Sequence, residues 1–145
     1  MEFFIEGKAS IPSEFNQETL TIVIQNHILN NQKIVGDITV VFCDDDYLLE
    51  MNKKHLNHDY YTDIITFDYC ENGVISGDLF ISVDRIRENA VSQNEPVKNE
   101  FIRVVAHGVL HLMGLNDKTE EEKSEMRRNE ERIISEYVSR ETLSS

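Results

Sequence analysis

Two histidines, His107 and His111, lie four residues apart in the segment 104–114, where most of the other residues are apolar. Four residues is about one turn of an α-helix, so both imidazoles project from one face and can reach the same point. Gly114 is the type of residue that ends a helix in the left-handed conformation, and such a turn would bring Asp117 toward the imidazoles. Two imidazoles and one carboxylate, with a fourth position open to water, are typical of catalytic zinc.

The spacing of these residues matches the metal-binding signature of the metzincin metalloproteases. Position 108, however, is glycine, where those proteases have the glutamate that acts as general base. The residues therefore predict a zinc hydrolase site on a buried helix, without protease machinery. Two structural alternatives stay open: the histidines are packed core residues, or Asp117 or Asn116 caps a helix that begins in the acidic run 120–122.

Composition restricts the classes of protein that this chain can belong to. A length of 145 residues predicts a single domain, 1–145. The net charge of -13 argues against a general nucleic-acid coat, although it leaves room for a local basic cleft. No apolar stretch is long enough to span a bilayer, and residues 1–10 do not have the pattern of a secretory signal. Cys43 and Cys70 are therefore expected to be reduced thiols in a cytoplasmic protein without membrane contact.

Hydrophobic periodicity predicts the order β-α-β-α-β-β-α-α-α, which is an α/β (α+β) domain with a mixed, roughly four-stranded sheet and about five helices. Strands are predicted at residues 3–5, 38–42, 64–69 and 78–83. Helices are predicted from an N-cap at Ser13, from the acidic run 44–46, and over 84–93, 97–113 and 120–138. The loop 71–73 favours a hairpin, so the last two strands should be antiparallel. The tail 141–145 is expected to be frayed, and His27 to be a packed or half-exposed residue rather than a ligand.

The sequence resembles the YbeY family of bacterial endoribonucleases, also called ribosomal RNA maturation factors. Three segments match: Met51-Asn52 through Thr62–Phe67, Gly77–Ser82, and His107–Gly114, within a similarity from about residue 35 to 135. The resemblance implies a metal-dependent hydrolase, usually described with zinc, here one Zn²⁺ per chain. It also implies a substrate in the 16S rRNA precursor of the small ribosomal subunit, with roles in 3′-end maturation and ribosome quality control.

Two positions depart from the family pattern. The pattern ends Gly-Tyr-Asp-His, with histidine as third ligand, whereas this chain has Asp117 at that position. Zinc accepts the carboxylate, but the added negative charge should make the bound water less acidic. The family also commonly has an arginine, thought to serve RNA binding or catalysis, where this chain has Leu56. That role is either lost or taken by another residue. The candidates are Lys53, Lys54, His58 and Arg103, of which Lys54 is ranked first.

The remaining site predictions concern the segment before the third strand and the basic residues. Asp63 is expected to position the attacking water or to hold a ligand histidine from behind, with Thr62 and His58 as further catalytic candidates. The structural alternative is that Thr62 and Asp63 are ordinary turn residues. RNA is expected to bind in a cleft lined by Lys53, Lys54, and Arg85 or Arg103.

Together these observations predict a zinc-dependent endoribonuclease that is selective for single-stranded RNA. One alternative is a non-catalytic ribosome assembly factor in which the metal is structural and a ribosomal protein contact brings the chain to rRNA. The other is a metalloprotease, which the glycine at position 108 disfavours because a neighbouring general base contributes a large factor to the rate.

Overall fold

The structure is a computed structural model that describes residues 1–56 and 62–144. Its elements are β1 Glu2–Ile5, α1 Gln17–Asn30, β2 Ile34–Cys43, α2 Asp45–Leu56, β3 Ile64–Asp68, β4 Val74–Ser82, α3 Val83–Ser92, α4 Val97–Leu112 and α5 Glu120–Ser144. This is the predicted order, and the predicted fold class is confirmed. Within the described residues, no helix combines the length and the apolar character that crossing a membrane requires. His58 lies outside the described residues.

The four strands form one mixed sheet in the order β1-β2-β4-β3. β1 and β4 both run parallel to β2, which lies between them, whereas β3 is antiparallel to β4, as the hairpin prediction requires. In the connecting loop, Asn72 and Gly73 adopt the positive φ values of 53° and 80° that tight hairpin turns need. β1 forms one edge of the sheet, as predicted.

Helices cover both faces of the sheet. Successive side chains of a strand point to opposite faces. In β4, Leu79 and Ile81 belong to the large core that includes α1, α4 and α5. Phe80, between them, packs instead with the smaller cluster that contains Leu48 of α2. α4 and α2 therefore lie on opposite faces of the sheet. This arrangement separates the two predicted histidine ligands on α4 from Lys53 and Lys54 on α2.

Two predicted helix ends are wrong. Asn16, rather than Ser13, caps α1, because its side-chain oxygen accepts a hydrogen bond from Thr19 N at 3.1 Å. The last helix, predicted to end at about residue 138, continues to Ser144. It is held by Glu141, whose carboxylate accepts hydrogen bonds from Thr19 Oγ1 at 3.1 Å and from the Tyr137 hydroxyl at 3.3 Å.

The acidic run 44–46 begins a helix, as interpreted. Asp44 Oδ1 accepts a hydrogen bond from Tyr47 N at 2.8 Å, and its other oxygen accepts one from Lys8 N at 2.7 Å. These two backbone N–H groups hold the pKa of Asp44 below its usual value. His27 is buried in α1, also as predicted.

Candidate metal centre

α4 lies directly against the sheet at Gly108. A Cβ at this position would lie 2.8 Å from both Ile64 Cδ1 and Leu79 Cδ1, so a side chain here would point into the core. A glutamate at this position would enter the packed contact between the helix and the sheet, where burying its charge is costly. The protease alternative therefore lacks its general base, and the packing at this position disfavours one.

α4 ends in a Schellman motif. Gly114 has a φ of +101°, and its N–H donates to His111 O at 3.0 Å, while Leu115 N–H donates to Leu110 O at 3.0 Å. This pair of bonds satisfies the last carbonyls of the helix and reverses the chain. The left-handed residue predicted at Gly114 is confirmed, and the reversal brings Asp117 back over the last turn of the helix.

His107, His111 and Asp117 converge on one point. The two Nε2 atoms are 3.0 Å apart, and Asp117 Oδ2 lies 3.3 Å from that of His107 and 3.5 Å from that of His111. One ligand atom from each residue lies within 4.8 Å of the others, so the group could hold a metal ion. The side chains are 26%, 31% and 40% exposed, which leaves access for solvent or substrate.

The capping alternative for Asp117 and Asn116 is excluded by the start of α5. Thr119 Oγ1 accepts a hydrogen bond from Glu122 N at 3.1 Å, and Glu122 Oε1 accepts one from Thr119 N at 3.0 Å. This reciprocal pair is a capping box. Thr119 is therefore the cap, and the Asp117 carboxylate is left to face the imidazoles.

Each imidazole is held from behind through its other ring nitrogen. His111 Nδ1 lies 2.9 Å from Leu115 O, and His107 Nδ1 lies 2.7 Å from Glu130 Oε2. A carbonyl and a carboxylate only accept hydrogen bonds, so both Nδ1 atoms donate when the rings are neutral. The lone pairs are then on the Nε2 atoms, where a metal would bind. This donor set, with one carboxylate oxygen, fits Zn²⁺.

Glu130 is the residue of this centre that the sequence reasoning missed. It is only 4% exposed, although it is charged. The sequence does contain a signal for this residue. Glu130 shares the buried face of α5 with apolar residues at helical spacing, which are Met126, Ile133, Ile134 and Tyr137. A glutamate on an otherwise apolar stripe needs a partner, and here that partner is a ligand histidine.

Glu130 also affects the charge state of His107. Burial lowers the pKa of His107, but the hydrogen bond and the negative charge of Glu130, with smaller effects of Asp117 and Asp63, raise it above 6.5 overall. In the absence of metal, the protonated form of this imidazole therefore persists to a higher pH than in an ordinary histidine.

Arg103, predicted as an RNA contact, is buried beneath the centre. Its guanidinium lies 2.8 Å from a carboxylate oxygen of Glu131, 3.3 Å from Glu100, 3.4 Å from Glu130 and 3.8 Å from Glu95. The side chain is only 6% exposed. Arg103 lies one helical turn before His107, on the face that α5 covers, and this placement gives no support to a phosphate contact.

Asp63 lies near the centre, as predicted. It lines a cavity of about 230 Å³ together with His107 and Glu130, and its charge acts on His107. Its backbone oxygen accepts a hydrogen bond from Ser82 N at 2.9 Å, which fixes the start of β3 against β4. Thr62, which precedes it, is half-buried.

The other predicted basic residues are not gathered around the metal group. Lys53 and Lys54 are exposed on α2, which covers the opposite face of the sheet. Lys53 Nζ lies 3.8 Å from Glu50 Oε1. Arg85 is ion-paired with Asp45, at 2.9 Å, and with a second carboxylate on its own helix.

Arg127 on α5 is a cation beside the centre that the sequence reasoning did not consider. It lines the same cavity as His107 and Asp63, and its side chain is half exposed. Its guanidinium lies 3.5 Å from Glu131 and 4.0 Å from Glu130. The pair with Glu131 is half exposed on both sides, and pairs of this kind contribute little to stability, so a phosphate could displace it.

The fold and the site define a single α+β domain in which His107, His111 and Asp117, at the end of a buried helix, could together hold a metal ion. The chain belongs to the family described as Endoribonuclease YbeY, whose family model matches residues 5–138. A relative from Phocaeicola vulgatus, with the same description, is 53% identical over 102 residues, covering 70% of this chain and 74% of the relative. One from Cytophaga hutchinsonii is 54% identical over 112 residues, covering 76% and 78%.

The fold is also similar to a solved structure. The solution structure of a protein from Thermotoga maritima superimposes with a TM-score of 0.70 at 25% sequence identity. The match covers 99% of this chain and 93% of that one. The whole described domain, and not the metal-bearing helix alone, is therefore shared with that structure.

Proposed function

We propose that this chain is a zinc-dependent endoribonuclease that cleaves single-stranded RNA. The observation that carries the proposal is the solvent-accessible convergence of His107, His111 and Asp117 in a member of the Endoribonuclease YbeY family. Bound to these three residues, Zn²⁺ would supply a Lewis acid that polarises the scissile phosphate and activates water for attack.

The accessibility of the ligands favours catalysis over a structural metal. Structural zinc sites are closed by four protein ligands, whereas catalytic sites have three and leave one position open. The described residues provide three ligand groups here, each at least a quarter exposed. The alternative of a non-catalytic assembly factor, in which a metal only joins α4 to the following loop, is therefore the second candidate.

Other residues of the chain are assigned the remaining roles in the proposed reaction. Glu130 and the Leu115 carbonyl hold the two imidazoles, which leaves Asp63 the other role predicted for it, positioning the attacking water. The same carboxylate is also suited to accept the proton of that water. Arg127, beside the same cavity, is suited to hold the phosphate that is cleaved. Lys53 and Lys54 remain proposed contacts for a more distant part of the RNA strand.

The biological substrate proposed here is the 16S rRNA precursor on the small ribosomal subunit, with roles in 3′-end maturation and ribosome quality control in the cytoplasm. Its support is the family resemblance. A contact with a ribosomal protein is part of the same proposal, since the net charge of -13 suits a basic partner.

The test is cleavage of an end-labelled, single-stranded RNA that contains the 3′ end of the 16S precursor. The zinc-loaded chain should cut it, whereas the chelator-treated chain and His107→Ala should not, and a fully paired duplex of the same sequence should resist. Retained cleavage in His107→Ala would reject the metal centre. Stoichiometric zinc without any cleavage would favour the assembly-factor alternative.

A further inference from the structure

Glu130 joins the metal centre to a buried ion-pair network. Its Oε2 lies 2.7 Å from His107 Nδ1, and its Oε1 lies 3.4 Å from Arg103 Nη1. We propose that Glu130 is a positioning residue that sets the tautomer and orientation of His107, and that Arg103 is the buried counter-charge that fixes Glu130 for this role. The inference rests on the proposed function to the extent that it requires a metal at His107.

The two ligand histidines are supported by groups of different charge. His111 donates to the Leu115 carbonyl, a neutral acceptor, whereas His107 donates to a carboxylate. A carboxylate behind a ligand histidine keeps the proton on Nδ1, holds the ring in place and makes the other nitrogen a stronger donor to the metal. His107 is therefore held more firmly than His111 in the tautomer and orientation that bind a metal.

Burial explains why the carboxylate needs Arg103. The side chains of both Glu130 and Arg103 are only 6% exposed. A buried carboxylate without a positive partner is costly, because the protein does not replace the water that solvates its charge. Arg103 keeps one oxygen occupied and leaves the other for His107.

Other carboxylates also surround Arg103. Its guanidinium lies 2.8 Å from Glu131 on α5 and 3.3 Å from the buried Glu100 on its own helix. A planar guanidinium with several carboxylates around it has a fixed orientation. The network therefore fixes α5 against α4 at the level of His107, which is where a metal ligand must not move.

Glu130→Gln separates this role from simple packing. The amide has nearly the same shape, but its oxygen can face only one of two donors, His107 or Arg103. When the oxygen faces Arg103, the NH₂ group faces Nδ1 and requires a lone pair there, so that the proton of a neutral His107 moves to Nε2, the metal-binding nitrogen. Glu131→Gln is the matched control, since Glu131 is the next residue and contacts Arg103 but not His107.

The measurement is the affinity for Zn²⁺ alone, by competition with a chromophoric chelator, together with the visible spectrum of the Co²⁺-loaded protein. Glu130→Gln should lose about 10- to 100-fold in Zn²⁺ affinity and change the Co²⁺ spectrum, whereas Glu131→Gln should match the parent in both. Equal affinities and spectra in the two variants would overturn the inference. A parent that binds no Zn²⁺ would instead reject the proposed function.

A second measurement covers a Glu130 variant that fails to fold. In the zinc-loaded parent, nitrogen-15 NMR should show a proton on His107 Nδ1 that is hydrogen-bonded and exchanges slowly with water. Fast exchange of this proton, as on an exposed imidazole, would overturn the inference without any substitution. Slow exchange would support it.

Discussion

Asp117 gives the metal centre a negative charge that a third imidazole would not provide. Its Oδ2 lies 3.3 Å and 3.5 Å from the two Nε2 atoms, so the carboxylate is placed as a ligand although the family pattern has histidine there. With a buried carboxylate also behind His107, two acidic groups lie beside the imidazoles that would hold the metal. Both would reduce the positive charge with which a bound metal activates water.

The first prediction follows from this charge. Asp117→His should retain zinc and cleave RNA at an equal or higher rate, because a neutral ligand leaves the metal more electrophilic. Asp117→Ala should lose at least about tenfold in Zn²⁺ affinity, since changes behind a ligand already cost that much. Chelator competition and single-turnover cleavage measure both effects. Parental affinity in Asp117→Ala would mean that the third ligand lies elsewhere.

The second prediction concerns pH in the metal-free protein. The pKa of His107 is raised on folding above 6.5, so protonated His107 stabilises the fold at low pH, and this contribution is lost as pH rises through the folded pKa. The free energy of unfolding should therefore fall above about pH 6.5, by at most about 1.4 kcal/mol per pH unit for one proton. Urea unfolding in the presence of a chelator measures it.

His107→Gln is the control for this slope, and it should flatten the pH dependence in that range. His27 titrates in the opposite sense, because burial, followed by the charge of Arg132, lowers its pKa. That contribution is present in both proteins and cancels in the comparison. An unchanged slope in His107→Gln would contradict the assignment to His107.

At the scale of elements, the position of α4 depends on a close approach to the sheet. A Cβ on Gly77 would lie 2.5 Å from Phe67 O and 2.8 Å from Leu112 Cδ2. Leu112 follows His111 directly, so this contact sets the height of the metal-bearing end of the helix. The glycine of the Gly77-Asp78 motif thus has a packing role next to the centre.

The third prediction compares two glycine substitutions. Gly77→Ala should destabilise the fold by about 1–3 kcal/mol, because the backbone oxygen of a paired strand cannot move away. Gly108→Ala meets only the ends of Ile64 and Leu79, which can rotate, and gains about 1 kcal/mol in helix propensity. Urea unfolding of both variants should show the larger loss in Gly77→Ala. The reverse order would contradict this account.

For the whole molecule, the charge of -13 means that RNA must be bound by a local group of cations against a repelling average field. Arg127, which lines the cavity beside the centre, is the cation proposed for this contact. The fourth prediction is that Arg127→Gln weakens RNA binding and reduces the salt slope by about one unit, with little change in zinc affinity.

Arg128→Gln is the matched control for Arg127, since Arg128 is adjacent, more exposed and paired with Glu125 on its own helix. It should leave both the RNA affinity and the salt slope nearly unchanged. Filter binding at several salt concentrations measures the slopes. Equal effects of the two substitutions would show a general charge effect and no specific contact.

The fifth prediction concerns the lysines of α2. If RNA continues around the edge of the sheet, replacing Lys53 and Lys54 together by glutamine should weaken binding further and flatten its salt dependence, without affecting the zinc content. An unchanged affinity and slope would remove α2 from the RNA surface. The chain would then reach rRNA through a basic protein partner, as its acidic surface allows.

The sequence alone determined the features that depend on neighbouring residues. The order of strands and helices followed from hydrophobic periodicity, and the convergence of His107, His111 and Asp117 followed from one helical turn and one glycine cap. The three residues of this convergence lie within eleven positions of the chain, and over so short a distance the backbone geometry leaves few choices. Helix ends were less certain: Asn16 replaced Ser13 as a cap because several polar residues compete locally for that position.

Only the tertiary structure decided what the polar residues do. Glu130 lies 23 residues from His107 and 27 from Arg103, so their contacts exist only after α5 docks on α4. The same docking buried Arg103, although arginine is usually a surface residue. The packing of α2 on the other face of the sheet separated Lys54 from the metal centre. The role of a charged side chain depends on the groups that surround it in the folded protein. Those groups come from distant parts of the chain, and their contacts are not specified by periodicity or spacing.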